Sequence, residues 1–289
     1  MHCVHASIVS RAEQAAAEMG CDVAPGLLSL MERDDVRALL VLDTAWYGSV
    51  PAQLACQVGK PAFLASRLTH RVRETDQLVR QAAQTGVTLM PDFAHRYTPA
   101  TARLRELIAT RLGRPQRLVV DVAADCNPGA TESALSDAER DVLAVALDWS
   151  MNLVGAVPVA IRAAQDGSLS ERLDMQVEFR RPAAGGDAPT ALIRLAQETS
   201  AASASAFDTS IALRASVECV HGTALLEGPQ DMTWDSAGER FAESLASDRP
   251  AVEVMLDHFC RRVVGGLIPV PTLDDLCRAY QLVDSALKS

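Results

Sequence analysis

Apolar residues in the first third of the chain come in short continuous runs, separated by stretches with helical periodicity. The runs "MHCVHAS", "VRALLVLD", "PAFLA" and "VTLMPD" are strand candidates, and "SRAEQAAAEMG", "SVPAQLACQVG" and "HRVRETDQLVRQAAQTG" are helix candidates between them. Strands that are buried on both faces are apolar throughout. The alternation therefore predicts a parallel sheet covered by helices.

The pattern changes after residue 114. A strand, "RPQRLVVDVAAD", precedes a helix that begins with Ser136 and Glu139 as a capping box. Five further runs are strand candidates: "VPVAIRAAQ", "RLDMQVEFRR", "TALIRLAQET", "DTSIALRASVEC" and "TALLEG". Several alternate apolar and polar residues, which predicts a large, mostly antiparallel sheet with one face open to water or a partner. Two helices follow. We predict an α/β protein with domains at 1–114 and 115–289.

Composition and charge exclude several classes of function. The formal charge of -10 and the pI near 5.1 oppose binding to nucleic acid or an anionic membrane. No apolar run reaches the roughly 20 residues of a membrane span, and the first residues lack the pattern of a signal peptide, so we expect a cytoplasmic protein. The seven cysteines are scattered without C-x-x-C spacing, and the histidines lack ligand-like spacing, so neither a disulfide framework nor a metal site is predicted.

Four segments in order resemble one enzyme family. These are "DDVRALLVLDT", the long stretch from "GKPAFLASRLTH" to "ELIATRLGRP", "LDWSMNLVGAVPVAIRA" and the final "FCRRVVGGLIPVPTLDDLCRAYQLVDSALKS". Together they are similar to the glucose-fructose oxidoreductase / inositol dehydrogenase / MocA family. The resemblance implies a Rossmann-like domain that binds NAD or NADP, followed by an open sheet that holds the substrate site and often the oligomer interface.

The cofactor-binding positions of the family are altered here. The sequence contains no G-x-G-x-x-G loop, whose glycines let the backbone approach a pyrophosphate. Met1 matches the start of the family's second strand, so the first strand and its loop are expected to be missing. Ser7 stands where an acidic residue holds the ribose, and Thr44 begins the loop where Trp46 and Tyr47 could fill the nicotinamide space. We expect no cofactor, or weakly bound NAD(P).

The catalytic positions that the resemblance implies are altered as well. The family's Glu-Lys-Pro reads Ala65, Ser66 and Arg67, so Ser66 replaces the catalytic lysine. Arg67 is either a surface arginine or a residue that faces an anionic substrate. On the helix after Ser136, the family's aspartate, histidine and aspartate fall on Asp141, Val145 and Asp148.

Asp148 is the remaining candidate for catalysis. Burial would raise its pKa and make it a general acid or base, although a structural hydrogen-bonding role is an equal alternative. The turn "HRYTP" places Thr98 as a helix cap and Pro99 at the first helical position. Arg96, Tyr97 and Trp149 are candidates for binding a small molecule in the inter-domain cleft, with a purely structural turn as the alternative.

Three functions remain open from the sequence. The first is a degenerate member of the family that binds a small molecule or a partner. The second is an active NAD(P)-dependent oxidoreductase of a sugar or polyol-like substrate. The third is a non-redox enzyme that uses the inter-domain cleft. The simultaneous loss of glycine loop, lysine and histidine favours the first. Apolar alternation at Ile211, Leu213, Ala215 and Val217 also predicts a homodimer, or a larger oligomer, formed through the C-terminal sheet.

Overall fold

The computed structural model describes residues 1–43, 46–65, 72–125, 136–165, 173–183, 185–198 and 213–288. Its contacts divide the chain into two compact units. The first comprises Met1–Asp92 and Leu256–Cys277, and the second comprises Phe93–Met255 and Arg278–Ser289.

The first unit contains two small parallel sheets. One pairs β1 with β2, and the other has the order β3-β4-β5. The strands are β1 (Cys3–Val4), β2 (Asp22–Val23), β3 (Leu39–Val41), β4 (Ala62–Leu64) and β5 (Leu89–Pro91). The helices that follow them are α1 (Val9–Met19), α2 (Leu27–Met31), α3 (Val50–Val58) and α4 (Val72–Thr85). Every residue of β4 and β5 is buried, as expected for parallel strands covered on both faces.

The second unit is built on one eight-stranded sheet with the order β13-β12-β11-β10-β6-β9-β8-β7. Its strands are β6 (Pro115–Asp125), β7 (Pro158–Gln165), β8 (Leu173–Phe179), β9 (Thr190–Glu198), β10 (Arg214–Cys219), β11 (Gly222–Glu227), β12 (Asp231–Ser236) and β13 (Glu239–Ser244). Only the β6–β9 pair is parallel. The predicted fold class, a Rossmann-like parallel sheet followed by a mostly antiparallel one, is confirmed.

Helices complete the second unit and the C-terminal part of the chain. They are α5 (Pro99–Leu107), α6 (Asp137–Val154), α7 (Ala251–Val263) and α8 (Leu273–Ala286), with a 3-10 turn at Ala94–Arg96 and a π-helical turn at Ile108–Leu112. Helix α6 packs on β6 and β9. The strands beneath it are buried on the side of α6, for example at Val120 and Ile193.

The opposite side of this sheet, which we call the open face, is more exposed. It presents the alternate strand positions, among them Val119, Asp121, Leu192, Arg194 and Ser216. Of the predicted apolar set, Ala215 and Val217 are buried at 1% and 0% exposure, on the same side of the sheet as Val120, and the homo-oligomer stays a prediction. Leu213 is half-buried, and Ile211 lies outside the described residues. In β10, Arg214, Ser216 and Glu218 alternate with the buried residues.

Residues 93–114 pack within the second unit, whereas the sequence places them before the predicted boundary at residue 114. The backbone N–H of Ala100 donates to the carbonyl oxygen of Pro229 at 3.0 Å, and Trp149 Nε1 donates to Thr101 Oγ1 at 3.0 Å. Helix α5 is therefore fixed to the eight-stranded sheet and α6. By contacts the N-terminal segment of the first unit ends at Asp92, and the boundary between functional domains stays a prediction.

Within the described ranges, no helix is both long and apolar enough to cross a membrane. Among the same residues, no group of three or more histidine, cysteine or acidic side chains is arranged to hold a metal ion. All the described cysteines are free thiols.

Candidate functional site

Asp148 is placed by helix α6, whose start is fixed as the sequence predicts. The Ser136 hydroxyl accepts the backbone N–H of Glu139, and the Glu139 carboxylate accepts the backbone N–H of Ser136 at 2.6 Å. From there the helix runs apolar through Val142–Leu147, which are all buried. Asp148 is buried too, with 1% of its side chain exposed.

Two side chains from the 3-10 turn hold the Asp148 carboxylate. Arg96 donates from Nε to Oδ2 at 2.8 Å and from Nη2 to Oδ1 at 2.5 Å, a bidentate geometry. His95 donates from Nε2 to Oδ2 at 2.7 Å. Phe93 supports the group, since the Arg96 guanidinium lies 4.5 Å from its ring centroid and the His95 ring packs against its edge at 5.1 Å.

The pKa of Asp148 is lowered, contrary to the sequence-based expectation. Burial on its own would raise this pKa, but the hydrogen bonds from Arg96 and His95 and their positive charges outweigh the burial. A carboxylate with a lowered pKa is a poor general acid or base near neutral pH. The arrangement therefore favours the structural alternative for Asp148.

The other two positions on the same face of α6 do not join this group. Val145 is buried among core residues at 7% exposure. Asp141, one turn earlier, accepts a hydrogen bond at 2.7 Å from the hydroxyl of Tyr280. The helical spacing is as predicted, but the three side chains serve separate packing contacts.

Trp149 and Tyr97, the predicted substrate contacts, also take part in packing. Trp149 is 1% exposed and its indole N–H is satisfied by Thr101. Tyr97 is half-buried, and burial raises its phenol pKa, although Arg96 and Arg105 oppose the shift. A pocket beside His95 and Trp149 measures only about 20 Å³, which is room for about one water molecule.

A larger groove lies in the first unit. It measures about 470 Å³ between the end of α4 and the segment 267–274, and its lining is mainly apolar, with Arg262 and Asp274 at its border. That volume is within the range of small-ligand pockets. Leu267, at its rim, is 94% exposed.

The predicted cofactor positions are only partly described. Ser7 is exposed in the bend before α1, whereas Thr44, Ser66 and Arg67 lie outside the described residues. Trp46 is 78% exposed. Tyr47 bonds through its hydroxyl to His5 Nε2 at 3.1 Å, which links the residue after β1 to the turn after β3.

His95 is the site residue that sequence reasoning missed. It is 53 positions from Asp148 in the chain, so no local spacing joins them. The only signal was its position next to Arg96 in "HRYTP", directly after a buried strand. Val145 stands in the place of the family's histidine, and His95 supplies an imidazole to Asp148 from another element.

The known proteins whose sequences are similar to this chain are named as a dehydrogenase and an oxidoreductase. No protein-family model matches the chain. It is 27% identical over 188 residues to UDP-N-acetylglucosamine 3-dehydrogenase of Acidithiobacillus ferrooxidans, which is 65% of this chain and 58% of that protein. It is 31% identical over 105 residues to an uncharacterized oxidoreductase of Synechocystis, covering 35% and 28% of the two chains. The match thus spans less than two thirds of each relative.

Solved structures extend the likeness over the whole chain. The Acidithiobacillus dehydrogenase superposes with a TM-score of 0.71 at 20% identity, covering 100% of this chain and 88% of that one. Aldose-aldose oxidoreductase of Caulobacter crescentus gives a TM-score of 0.76 at 16% identity, with coverage of 100% and 88%. The chain therefore has the fold of the glucose-fructose oxidoreductase / inositol dehydrogenase / MocA proteins, and the resemblance predicted from the sequence is confirmed.

Proposed function

We propose that this oxidoreductase-type protein has lost NAD(P)-dependent redox catalysis and serves as a small-molecule-binding or partner subunit. The main support is the state of Asp148, one of the two acidic residues left from the expected proton-transfer group; the other, Asp141, is bonded to Tyr280. The Asp148 side chain is buried, its pKa is lowered by three hydrogen bonds from Arg96 and His95, and the pocket nearby has room for only about one water molecule. Hydride transfer between a nicotinamide and the carbon that bears a hydroxyl needs a group that takes the hydroxyl proton or returns it.

The proposal includes the cofactor and the partner. NAD(P) binds weakly or not at all, because Ser7, in the place of the family's ribose-binding acidic residue, is a weaker acceptor than a carboxylate. A small molecule has room in the groove beside α4. The chain forms a homodimer, or a larger oligomer, through the eight-stranded sheet, whose open face is partly apolar at Val119 and Leu192.

Calorimetric titration with NADH and NADPH tests the loss of redox function. With Ser7 in the place of the ribose-binding carboxylate, dissociation constants should be no tighter than roughly 1 mM, about -4 kcal/mol of binding free energy. ATP serves as the matched control for nonspecific binding of an anionic nucleotide. Micromolar binding of either reduced dinucleotide, with ATP still weak, would contradict the proposal.

A second candidate is an active NAD(P)-dependent oxidoreductase of a sugar or polyol-like substrate. The observation that favours it is the hydrogen bond of 2.7 Å between His95 Nε2 and Asp148 Oδ2. A carboxylate and an imidazole in such contact can relay a proton. The relative named UDP-N-acetylglucosamine 3-dehydrogenase is in line with it. Under this candidate, the titration gives micromolar binding, and a UDP-sugar reduces NAD(P) at a rate that His95→Gln abolishes.

A further inference from the structure

The groove beside α4 has walls from two distant parts of the sequence. One wall is the end of α4 with the turn that follows it, and the other is the segment 267–274, which leads into α8. Both belong to the same compact unit, which comprises Met1–Asp92 and Leu256–Cys277. The groove of about 470 Å³ is therefore formed within one unit.

Two glycines direct the chain from α7 into the second wall. Helix α7 ends at Val263, and Gly265 follows in the left-handed region with a φ of 92°. At Gly266 an added Cβ would lie 2.7 Å from the carbonyl oxygen of Arg261, so this close approach to the helix end requires glycine. The course of the segment after Gly266 is therefore set by the end of α7.

The lining of the groove is apolar along most of its length. Helix α4 contributes Val79 and Ala83, and the opposite segment contributes Ile268 and Val270. Leu267 at the rim is 94% exposed. Apolar side chains that stay grouped in contact with water are typical of a binding surface. The lining therefore favours a ligand with an apolar body.

The charge that remains available at the groove is positive. Arg262, at its border, is exposed and forms no ion pair with any residue that the structure describes. Its neighbour Arg261 instead binds Asp257 at 2.9 Å. Asp274, the acidic residue at the border, lies in the first turn of α8, where the helix dipole stabilises a carboxylate. Arg262 therefore favours an anionic group on the ligand.

A ligand rich in hydroxyl groups is a poor match for this lining. Among the lining residues that the structure describes, only Thr88 and Thr272 have a hydroxyl group. The backbone N–H of Thr272 is already used, because it donates to Asp275 Oδ2 at 3.0 Å. A sugar held here would leave several hydroxyl groups without partners, and each of them would weaken binding.

We propose that the groove binds an amphipathic carboxylate, such as a medium-chain fatty acid, with its apolar chain between α4 and the segment 267–271 and its carboxylate at Arg262. This inference rests on the small-molecule binding proposed above, and it specifies the class of ligand and its contacts. A guanidinium can hold a carboxylate through two parallel N–H donors. The apolar walls then cover the chain of the ligand.

A titration with octanoate, followed by methyl NMR of the whole chain, tests the site. The methyl signals of Val87 and Leu273 in the lining should shift, while those of Val119 in the second unit should not. Hexanoate and decanoate extend the series. Each added methylene should tighten binding about four-fold until the groove is full, because each buries the same apolar area.

Octan-1-ol and octylamine have the same chain and test the charge. Octanoate should bind about five-fold more tightly than octanol, and Arg262→Gln should remove this difference without weakening octanol binding. Arg261→Gln, the adjacent arginine outside the lining, is the matched control and should keep the difference. Tighter binding of octylamine than of octanoate, with the preference lost in Asp274→Asn, would overturn the assignment of the anionic ligand.

A bulky residue in the groove tests the place of binding. Ala83→Trp puts an indole into the lining, whereas Gln84→Trp puts one at the next exposed position of α4, outside the lining. The first variant should lose the octanoate shifts and the second should keep them. Circular dichroism melts show whether both are folded, and the comparison of head groups tests the site independently of them.

The remaining outcomes separate this inference from the loss of redox function. If none of the three carboxylates shifts the groove methyls at millimolar concentration, or if Ala83→Trp leaves the octanoate shifts intact, the inference is wrong. Groove shifts that depend on protein concentration and not on octanoate would show that a second copy covers the groove, which also overturns it. The dinucleotide titration described above decides the loss of redox function separately.

Discussion

Replacing Asp148 with asparagine is expected to lower the free energy of unfolding by about 3–5 kcal/mol, because it breaks a buried ion pair and leaves the arginine charge without its partner. Asparagine keeps the shape but removes the charge that neutralises Arg96, whose side chain is only 14% exposed. Its amide nitrogen would also face N–H groups of Arg96 and His95, and two hydrogen-bond donors cannot bond to each other. Urea denaturation with an unchanged m-value measures the loss directly.

The matched control is Asp257→Asn on α7. Asp257 pairs with Arg261 at 2.9 Å, but the two side chains are 31% and 59% exposed. Screening by water limits such a pair to about 0.5 kcal/mol. If Asp148→Asn and Asp257→Asn cost the same small amount, Asp148 is not the structural group described above, and a functional role for it regains support.

Replacing Gly222 with alanine is expected to destabilise the eight-stranded sheet by about 1–3 kcal/mol or more, the usual cost of overpacking. Gly222 opens β11 opposite Ser236 of β12. A Cβ there would press against the carbonyl oxygen of Asp235 and lie 2.8 Å from Cδ2 of Leu112. Because the first contact is to backbone, no side-chain rotation relieves it. Thermal melts followed by circular dichroism measure the change.

Gly26→Ala provides the comparison for this prediction. Gly26 precedes α2 with an extended backbone, and the nearest atom to an added Cβ is Ser29 Oγ at 3.9 Å. The cost there should stay within about 1 kcal/mol, that of a poorer helix cap. Equal melting temperatures for the two variants would show that the strands move apart at Gly222 without penalty.

Local signals in the sequence predicted the helix starts well. Ser136 and Glu139 form the predicted capping box, and Thr98 forms the predicted cap of α5. These interactions join residues three apart, so a short stretch of sequence contains all the information. The last two strands, β12 and β13, were missed, although β12 alternates in burial with Met232 and Trp234 inside. On β13, an edge strand, polar residues occupy both faces and no residue is buried, so no apolar alternation marks it.

The site required information that spacing does not contain. Helical periodicity correctly placed Asp141, Val145 and Asp148 on one face. It could not show that Arg96 and His95, more than fifty positions earlier, converge on Asp148 alone. The sign of the pKa shift depends on that convergence, because burial without these donors would have raised the pKa. Likewise, alternation in β10 identified two faces but not which one α6 covers.

The titration of the Asp148 carboxyl is the most direct test of its structural role. A group whose pKa is lowered by folding gives stability that is fully present above its ordinary pKa, and that stability is lost as the pH falls through the folded value. Asp148 should therefore stay ionised from neutral pH down to the ordinary aspartate pKa of 3.8. A general acid or base would instead titrate near the working pH, about 7.

Carbon-detected NMR measures the protonation of the Asp148 carboxyl in the folded protein as the pH is changed. The carboxyl signal is assigned through the backbone of residue 148. We predict a carboxylate chemical shift that does not change between pH 8 and pH 5, with protonation beginning only at lower pH and a midpoint below 3.8. A midpoint for Asp148 above the ordinary value, and above all one near pH 7, would contradict the structural role and restore Asp148 as a catalytic acid or base.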